Sequence, residues 1–294
     1  MRAALSVILV SLLLAACRPA SAYVTPGAPS QYIENRGSDT IVNLALAWAE
    51  AYQREHPEVR VSVSGGGSGV GITALINGTI DIANASRQVK PEESQQAEAR
   101  GITPTEFIIA RDAIAVIVNP ENPVARLTLQ QVSDIYSGKL TNWRQVGGED
   151  RPIVRLSRET NSGTHVYFLE TVVRLGQKDN HTLFSTDTLL LPSSQGIVDE
   201  VRHNPNAIGY DGLGYVPADL KVVALAREPD QAYVLPSVAT VNDRSYPVAR
   251  DLYMYTAGKP TGAVADYLLW ILGPQAQQIV SNLGFVPVDG QAQP

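Results

Sequence analysis

From Tyr32 to Leu283 the chain alternates short apolar or β-branched runs with segments whose apolar residues recur at helical spacing, which restricts it to an α/β architecture. Tyr32-Ile33-Glu34 reads as a strand ending at Gly37. Ser38 and Asp39 are N-cap residues for a helix with the stripe Ile41, Leu44, Ala45, Trp48, Ala51, Tyr52. Val59, Val61 and Val63 alternate as a strand, and Gly65 to Gly69 turn the chain into a helix carrying Ile72, Leu75 and Ile76 that stops at Gly78. Asp81-Ile82-Ala83 starts another strand, Pro91–Arg100 is a polar helix, and Phe107–Val118 is an apolar stretch interrupted by Arg111 and Asp112. Further helices are expected over Leu129–Tyr136, after Ser162-Gly163-Thr164, and over Gly196–His203, Gly262–Leu272 and Pro274–Leu283. Strands are expected at Pro152–Leu156, Ile208–Tyr210, Lys221–Leu225 and Leu252–Thr256. The pattern predicts largely parallel sheets. No Pro/Gly-rich linker divides the chain, as expected if two α/β lobes exchange the chain more than once.

Charge and composition exclude several function classes. With 23 basic against 29 acidic residues the net charge is −6, and no basic stripe is present, which argues against nucleic acid as a partner. One Cys forms neither an internal disulfide nor a multi-Cys metal site, and the four His are not paired at i, i+4; no metal or cofactor is expected.

Residues 1–22 read as an export signal. Arg2 precedes an apolar run from Ala3 to Ala16, shorter than the roughly 20 residues of a membrane-spanning helix, and small residues follow. Two cleavage sites compete. Leu14-Ala15-Ala16-Cys17 resembles a lipobox in which Cys17 is lipidated, and Ala20-Ser21-Ala22 fits cleavage before Tyr23. The only Cys sits at the lipobox position, which favours a lipoprotein tethered through a segment containing Pro19, Pro26, Gly27 and Pro29. Either reading sends the chain out of the cytoplasm, to the periplasm or cell surface.

Three places join hydroxyl side chains to small residues just before a helix: Gly37-Ser38-Asp39-Thr40, Gly66-Gly67-Ser68-Gly69 and Asn161-Ser162-Gly163-Thr164. A helix start presents unpaired N–H groups and about half a positive charge, so it attracts anions. Glycine permits close backbone approach, and Arg158 lies near enough to Ser162 to fork onto two oxygens of the same anion. Each segment taken singly is better explained as a helix cap. Rival motifs fail on inspection. The glycine run lacks the Lys of a P-loop, and Gly69–Ala74 matches a loose dinucleotide pattern without the acidic residue that should follow. Val70 spoils a nucleophile elbow around Ser68, and His165 reads as a helix residue near the rim with no triad partner. Missing metal ligands also count against an exported phosphatase.

The ordered set of segments resembles the phosphate-binding proteins of bacterial ABC transporters. It runs through Gly37–Thr40, Gly66–Gly69, Gly78–Arg87, Tyr136-Ser137-Gly138 with Asn142-Trp143, Arg158 with Ser162–Thr164, Ala207–Tyr210 and Gly284–Pro287. The resemblance implies a type II periplasmic binding protein, two α/β lobes on a two-stranded hinge with a ligand cleft between them. Lobe one would be residues 31–111 plus 250–294 and lobe two 112–249, with the hinge near Ile109–Ala113 and Ala249–Leu252. It implies no enzymatic activity, inorganic phosphate as ligand, and a membrane permease as partner of a monomer whose own membrane contact is the lipid anchor. By matching position, Thr40, Ile41, Ser68, Ser86, Arg158, Ser162, Gly163 and Thr164 would hold the anion. Arg87 is either a further ligand or a surface partner.

One position departs from the family. Its best-known members carry, where this chain has Ser86, an Asp that accepts the proton of hydrogen phosphate and repels sulfate. Asp39 or Glu159 are the candidates to replace it. The alternatives are therefore another tetrahedral oxyanion (sulfate, arsenate, molybdate or tungstate), or an anion-sensing or adhesion protein on the same fold.

Overall fold

The computed structural model describes residues 30–288, so the export signal, Cys17 and the residues after 288 lie outside the described chain. Strand β1 (Gln31–Gly37) leads into α1 (Asp39–Glu55), β2 (Val59–Ser64), α2 (Ser68–Ile76), β3 (Ile82–Ala85) and α3 (Pro91–Glu98). The long β4 (Pro104–Val118) follows, then β5 (Arg126–Thr128), α4 (Leu129–Tyr136), β6 (Val154–Arg158), α5 (Gly163–Phe168), β7 (Leu189–Leu191) and α6 (Ser194–His203). The chain ends through β8 (Ala207–Gly212), β9 (Lys221–Val222), β10 (Ala224–Ala226), α7 (Val238–Asn242), β11 (Ala249–Ala257), α8 (Gly262–Ile271) and α9 (Pro274–Asn282).

Nine strands form one sheet in the order β2-β1-β3-β11-β4-β8-β6-β7, with β9 also on β4. The sheet is mixed, not largely parallel as the alternation suggested. The outer pairs β1–β2, β1–β3, β6–β8 and β6–β7 are parallel, and every pair made by β4 or β11 in this sheet is antiparallel. The reason is that β4 and β11 carry the chain across the middle in opposite directions. The first part of β4 pairs with β11, from Pro104↔Ala257 to Ala113↔Ala249, and its second part, from Ile114, pairs with β8. The apolar run Lys221–Leu225 breaks in two, because β9 joins β4 while β10 joins β5 in a separate ribbon.

Helices cover both faces of each half of the sheet. Around β1–β3, the stripe of α1 packs with α8 and α9 on one face, centred on Ile41, Trp48, Tyr267 and Val280, and α2 lies on the other through Ile72 and Leu75. Around β6 and β8, α4 and α5 bury Val132, Tyr136 and Phe168 on one face, and α6 buries Ile197 and Val201 on the other. Phe107 to Val118 reads as an unbroken apolar run because its strand is covered on both faces along most of its length.

Candidate anion site

Helices α1, α2 and α5 start at the carboxyl ends of β1, β2 and β6, and all three starts meet at the centre of the molecule. The Oγ1 atoms of Thr40 and Thr164, from opposite halves, are 2.8 Å apart. Ser38 Oγ donates to Ser86 Oγ at 3.0 Å, and Ser86 N donates to Ser68 Oγ at 3.0 Å. Gly163 sits against this serine cluster, and a Cβ there would collide with Ser68 Oγ and Ser86 Oγ. Gly67 is required for a second reason: its φ of +93° disfavours any side chain, and it lies against the carbonyl of Asn161 from the other half. Thr40, Ser68, Ser86, Gly163 and Thr164, all expected from the sequence, are therefore brought together and buried.

The remaining expected residues take other places. Ile41 N donates to Ser38 O at 3.1 Å in the first turn of α1. Ser162 is the N-cap of α5, its Oγ accepting from the amides of Thr164 and His165. Strand β6 runs two residues further than expected and ends on Arg158, whose side chain is 1% exposed. Arg158 donates to Asp39 Oδ2 at 2.8 Å across the two halves, to Ser194 Oγ at 2.9 Å and to the carbonyl of Pro192 at 2.9 Å. Asp39 is thus occupied by Arg158 and by the amide of Gly66. Arg87 is paired with Glu93 through its two terminal guanidinium nitrogens, at 2.7 and 2.8 Å. Burial pushes the Glu93 carboxyl up, but the Arg87 guanidinium and the Lys90 amide outweigh it and hold it below the usual range. Glu159 is exposed. His165 is buried, not at the rim; its Nδ1 lies 3.0 Å from Ser157 Oγ, and burial lowers its pKa.

Sequence reasoning missed the second cation. Arg250, on β11, is 93% buried by its 7% exposure and points into the threonine pair. Its Nη2 donates to Thr164 Oγ1 at 2.9 Å, reaches Thr40 Oγ1 at 3.4 Å and pairs with Asp112 Oδ2 at 3.0 Å; Nη1 donates to the Ser86 carbonyl at 3.0 Å. Burial raises the Asp112 carboxyl to about 6 against the pull of Arg250. The sequence signal was present in part: a charged pair interrupting the apolar run of β4, and an Arg at the start of an apolar strand, each need a buried partner. A cavity of about 460 Å³ opens beside the site between Arg87, Lys90, Tyr167, Arg250 and Tyr253. Two guanidinium groups, converging hydroxyls and the starts of α1 and α2 form an arrangement suited to an anion with several oxygens. Among the described residues no group of three or more His, Cys, Asp or Glu side chains is placed to hold a metal ion.

Fold and site together define a solute-binding protein that encloses its ligand between two halves of an α/β structure, and the PBP superfamily domain matches residues 24–275. The phosphate-binding protein PstS of Pseudomonas aeruginosa is 32% identical over 283 residues, covering 90% of this chain and 86% of its own. A candidate phosphate ABC transporter substrate-binding protein from Clostridium perfringens, solved with bound phosphate, is 32% identical with a TM-score of 0.78 over 87% of this chain and 99% of its own. An ABC-type phosphate transport receptor from Vibrio cholerae is 28% identical with a TM-score of 0.70, covering 87% of this chain and 100% of its own. The chain belongs to the phosphate-binding protein family of the PBP superfamily, and its fold is that of the type II periplasmic binding proteins.

Proposed function

We propose that the protein captures inorganic phosphate in the central cleft and delivers it to the membrane permease of an ABC transporter. The convergence of three helix starts on one buried locus that holds Arg250, with buried Arg158 paired to Asp39 at the start of α1, carries this reading, and the names of the relatives support it. Thr40, Ile41 N–H, Ser68, Ser86, Ser162, Gly163 N–H and Thr164 supply hydrogen bonds, and Arg158 and Arg250 supply charge. The lobes are residues 31–111 with 250–294 and residues 112–249, moving about the β4–β11 crossing. The protein works as a monomer outside the cytoplasm, held to a membrane by a lipid on Cys17. Among the described residues no helix is long and apolar enough to cross a membrane. It binds and does not transform its ligand.

A hydrogen bond to a charged group contributes roughly 1.5–3 kcal/mol, and micromolar affinity needs only about 8 kcal/mol in total. Several such bonds therefore suffice after the anion is dehydrated. The test is calorimetric titration of protein stripped of bound anion, starting near Tyr23, with phosphate and sulfate separately. Micromolar phosphate binding is expected with sulfate much weaker. Comparable heats for both would make the protein a general oxyanion receptor, and silence from phosphate would remove the reading.

A further inference from the structure

Resting on the phosphate reading, the inference concerns the charge that the closed cleft must hold. Arg158 and Arg250 are buried there with the carboxylates of Asp112 and Asp211, and the partly buried carboxylate of Asp39 lies beside Arg158. The starts of α1 and α2 add roughly half a positive charge each. The cleft is thus close to neutral before any ligand arrives, and a phosphate dianion adds two negative charges to a site screened poorly from within. Turning Asp39 out to solvent removes one of them. A proton taken up by a buried carboxylate would remove a second.

The structure distinguishes where that proton goes. Asp112 has both oxygens engaged, Oδ2 by Arg250 at 3.0 Å and Oδ1 by the amide of Leu213 at 3.2 Å, so protonating it sacrifices an ion pair or a backbone bond. Asp211, on the neighbouring β8, accepts twice on one oxygen, from Ser194 Oγ at 3.0 Å and the Gly212 amide at 2.7 Å. Its Oδ2 is buried with no hydrogen-bond partner in the protein, and a proton there costs no existing bond. Ser194 also accepts from Arg158 at 2.9 Å, so Asp211 stands one hydroxyl behind the anion-site arginine. The groups facing the two carboxylates are Arg250 from β11, Arg158 from β6, Ser194 from α6, Tyr167 from α5, and Tyr210, Tyr215 and Tyr246. Only the arginines among these favour an ionised carboxylate by charge. Burial raises the Asp211 carboxyl against the pull of Arg158, in the same direction as this geometry.

We infer that Asp211 is the proton-holding residue of the anion site: in the phosphate-loaded cleft it is the neutral acid, protonated on Oδ2, and capture of the dianion depends on that proton. It positions no atom of the ligand. It sets how much negative charge the cleft accepts.

The experiment is a phosphate titration over about pH 6–9.5 on the parent and on Asp211→Asn, which keeps the shape and removes the charge. Once free phosphate is the dianion, parent affinity is expected to fall by up to about tenfold per pH unit, the slope of one linked proton, and Asp211→Asn is expected to be flat there. Infrared difference spectra of the parent supply a readout that does not rely on the variant folding. At a pH where the empty protein is ionised at Asp211, a protonated-carboxyl C=O band should appear on phosphate addition and shift in heavy water. A flat parent profile without that band, or a variant profile as steep as the parent's, overturns the inference while leaving phosphate binding intact. Failure to bind phosphate at any pH overturns both.

Discussion

At the scale of residues, the pair Arg250–Asp112 does two jobs that one substitution cannot separate. Breaking a buried ion pair by removing one partner leaves the other charge unpaired in the core, at a cost of about 3–5 kcal/mol. Arg250→Met should therefore lower the melting temperature sharply as well as abolish phosphate binding. Arg250→Met with Asp112→Leu removes both charges and should recover most of the stability, while phosphate affinity stays at least about tenfold weaker, ~1.4 kcal/mol, than in the parent. Recovery of affinity in the double variant would exclude Arg250 from the site. His165 makes a pH prediction. Burial holds its folded pKa below the usual 6.5, so its neutral form contributes stability that is present above that value and lost as pH falls through the folded pKa. Asp112 has the opposite sign: its folded pKa of about 6 lies above 3.8, so it favours the fold at low pH and that contribution is lost as pH rises through about 6. His165→Gln should flatten the acid side of the melting profile, and an unchanged profile would assign that side to other groups. Of the candidate site residues legible in the sequence, Ser68, Ser162 and Thr164 sit beside a glycine at a helix start, and Thr40 follows Gly37 by three residues. Arg250 was not legible, because its partner Asp112 is 138 positions away and meets it only through the register of two strands.

Elements were read with similar unevenness. The stripe of α1 is a local feature, and the structure places α1, α4 and α6 close to the expected residues, although Ser38 stands at the N-cap of α1 without a side-chain capping bond, its Oγ donating to Ser86 instead. The direction of a strand in a sheet is not local. Alternation implied parallel pairing and is met in the outer strands, but nothing within Phe107–Val118 or Leu252–Thr256 states that these strands run against their neighbours. Helix α5 gives the prediction at this scale. Its first residue, Gly163, has space for hydrogen only where it faces Ser68 and Ser86. Alanine is the better helix former by up to about 1 kcal/mol, so Gly163→Ala should not weaken α5 itself. It should hold the two halves apart, lowering phosphate affinity by about tenfold or more for a loss of ~1.4 kcal/mol. Calorimetry and a thermal melt decide it: unchanged affinity would mean that the closed approach of α5 to α2 is not required for binding.

Across the whole molecule, the two halves are joined by contacts of mixed sign. The Gly69 amide donates to the Asn161 carbonyl at 3.1 Å, Asn161 Nδ2 donates to the Gly66 carbonyl at 3.0 Å, and Tyr215 Oη donates to the Asp39 carbonyl at 2.7 Å. These neutral bonds leave the anion locus free of added charge. The Asp39–Arg158 pair is different, because it closes the same gap with a carboxylate on a guanidinium that the proposed site assigns to phosphate. Asp39 therefore favours closure when the cleft is empty and competes with the anion when it is not. Asp39→Asn should accordingly have two effects of opposite character. Small-angle scattering should show a larger radius of gyration for the phosphate-free variant than for the phosphate-free parent. Phosphate affinity should rise by several-fold, on the order of 1 kcal/mol, since one competing charge has gone from a partly buried site. Tryptophan fluorescence will not report the movement: Trp48 and Trp143 are buried in the separate cores of the two halves, and Trp270 packs on Tyr52 and Tyr267 beside α1. If the variant binds phosphate more weakly than the parent and keeps the parent's dimensions, Asp39 is a partner that orients Arg158 for the anion, and the competition between latch and ligand does not exist.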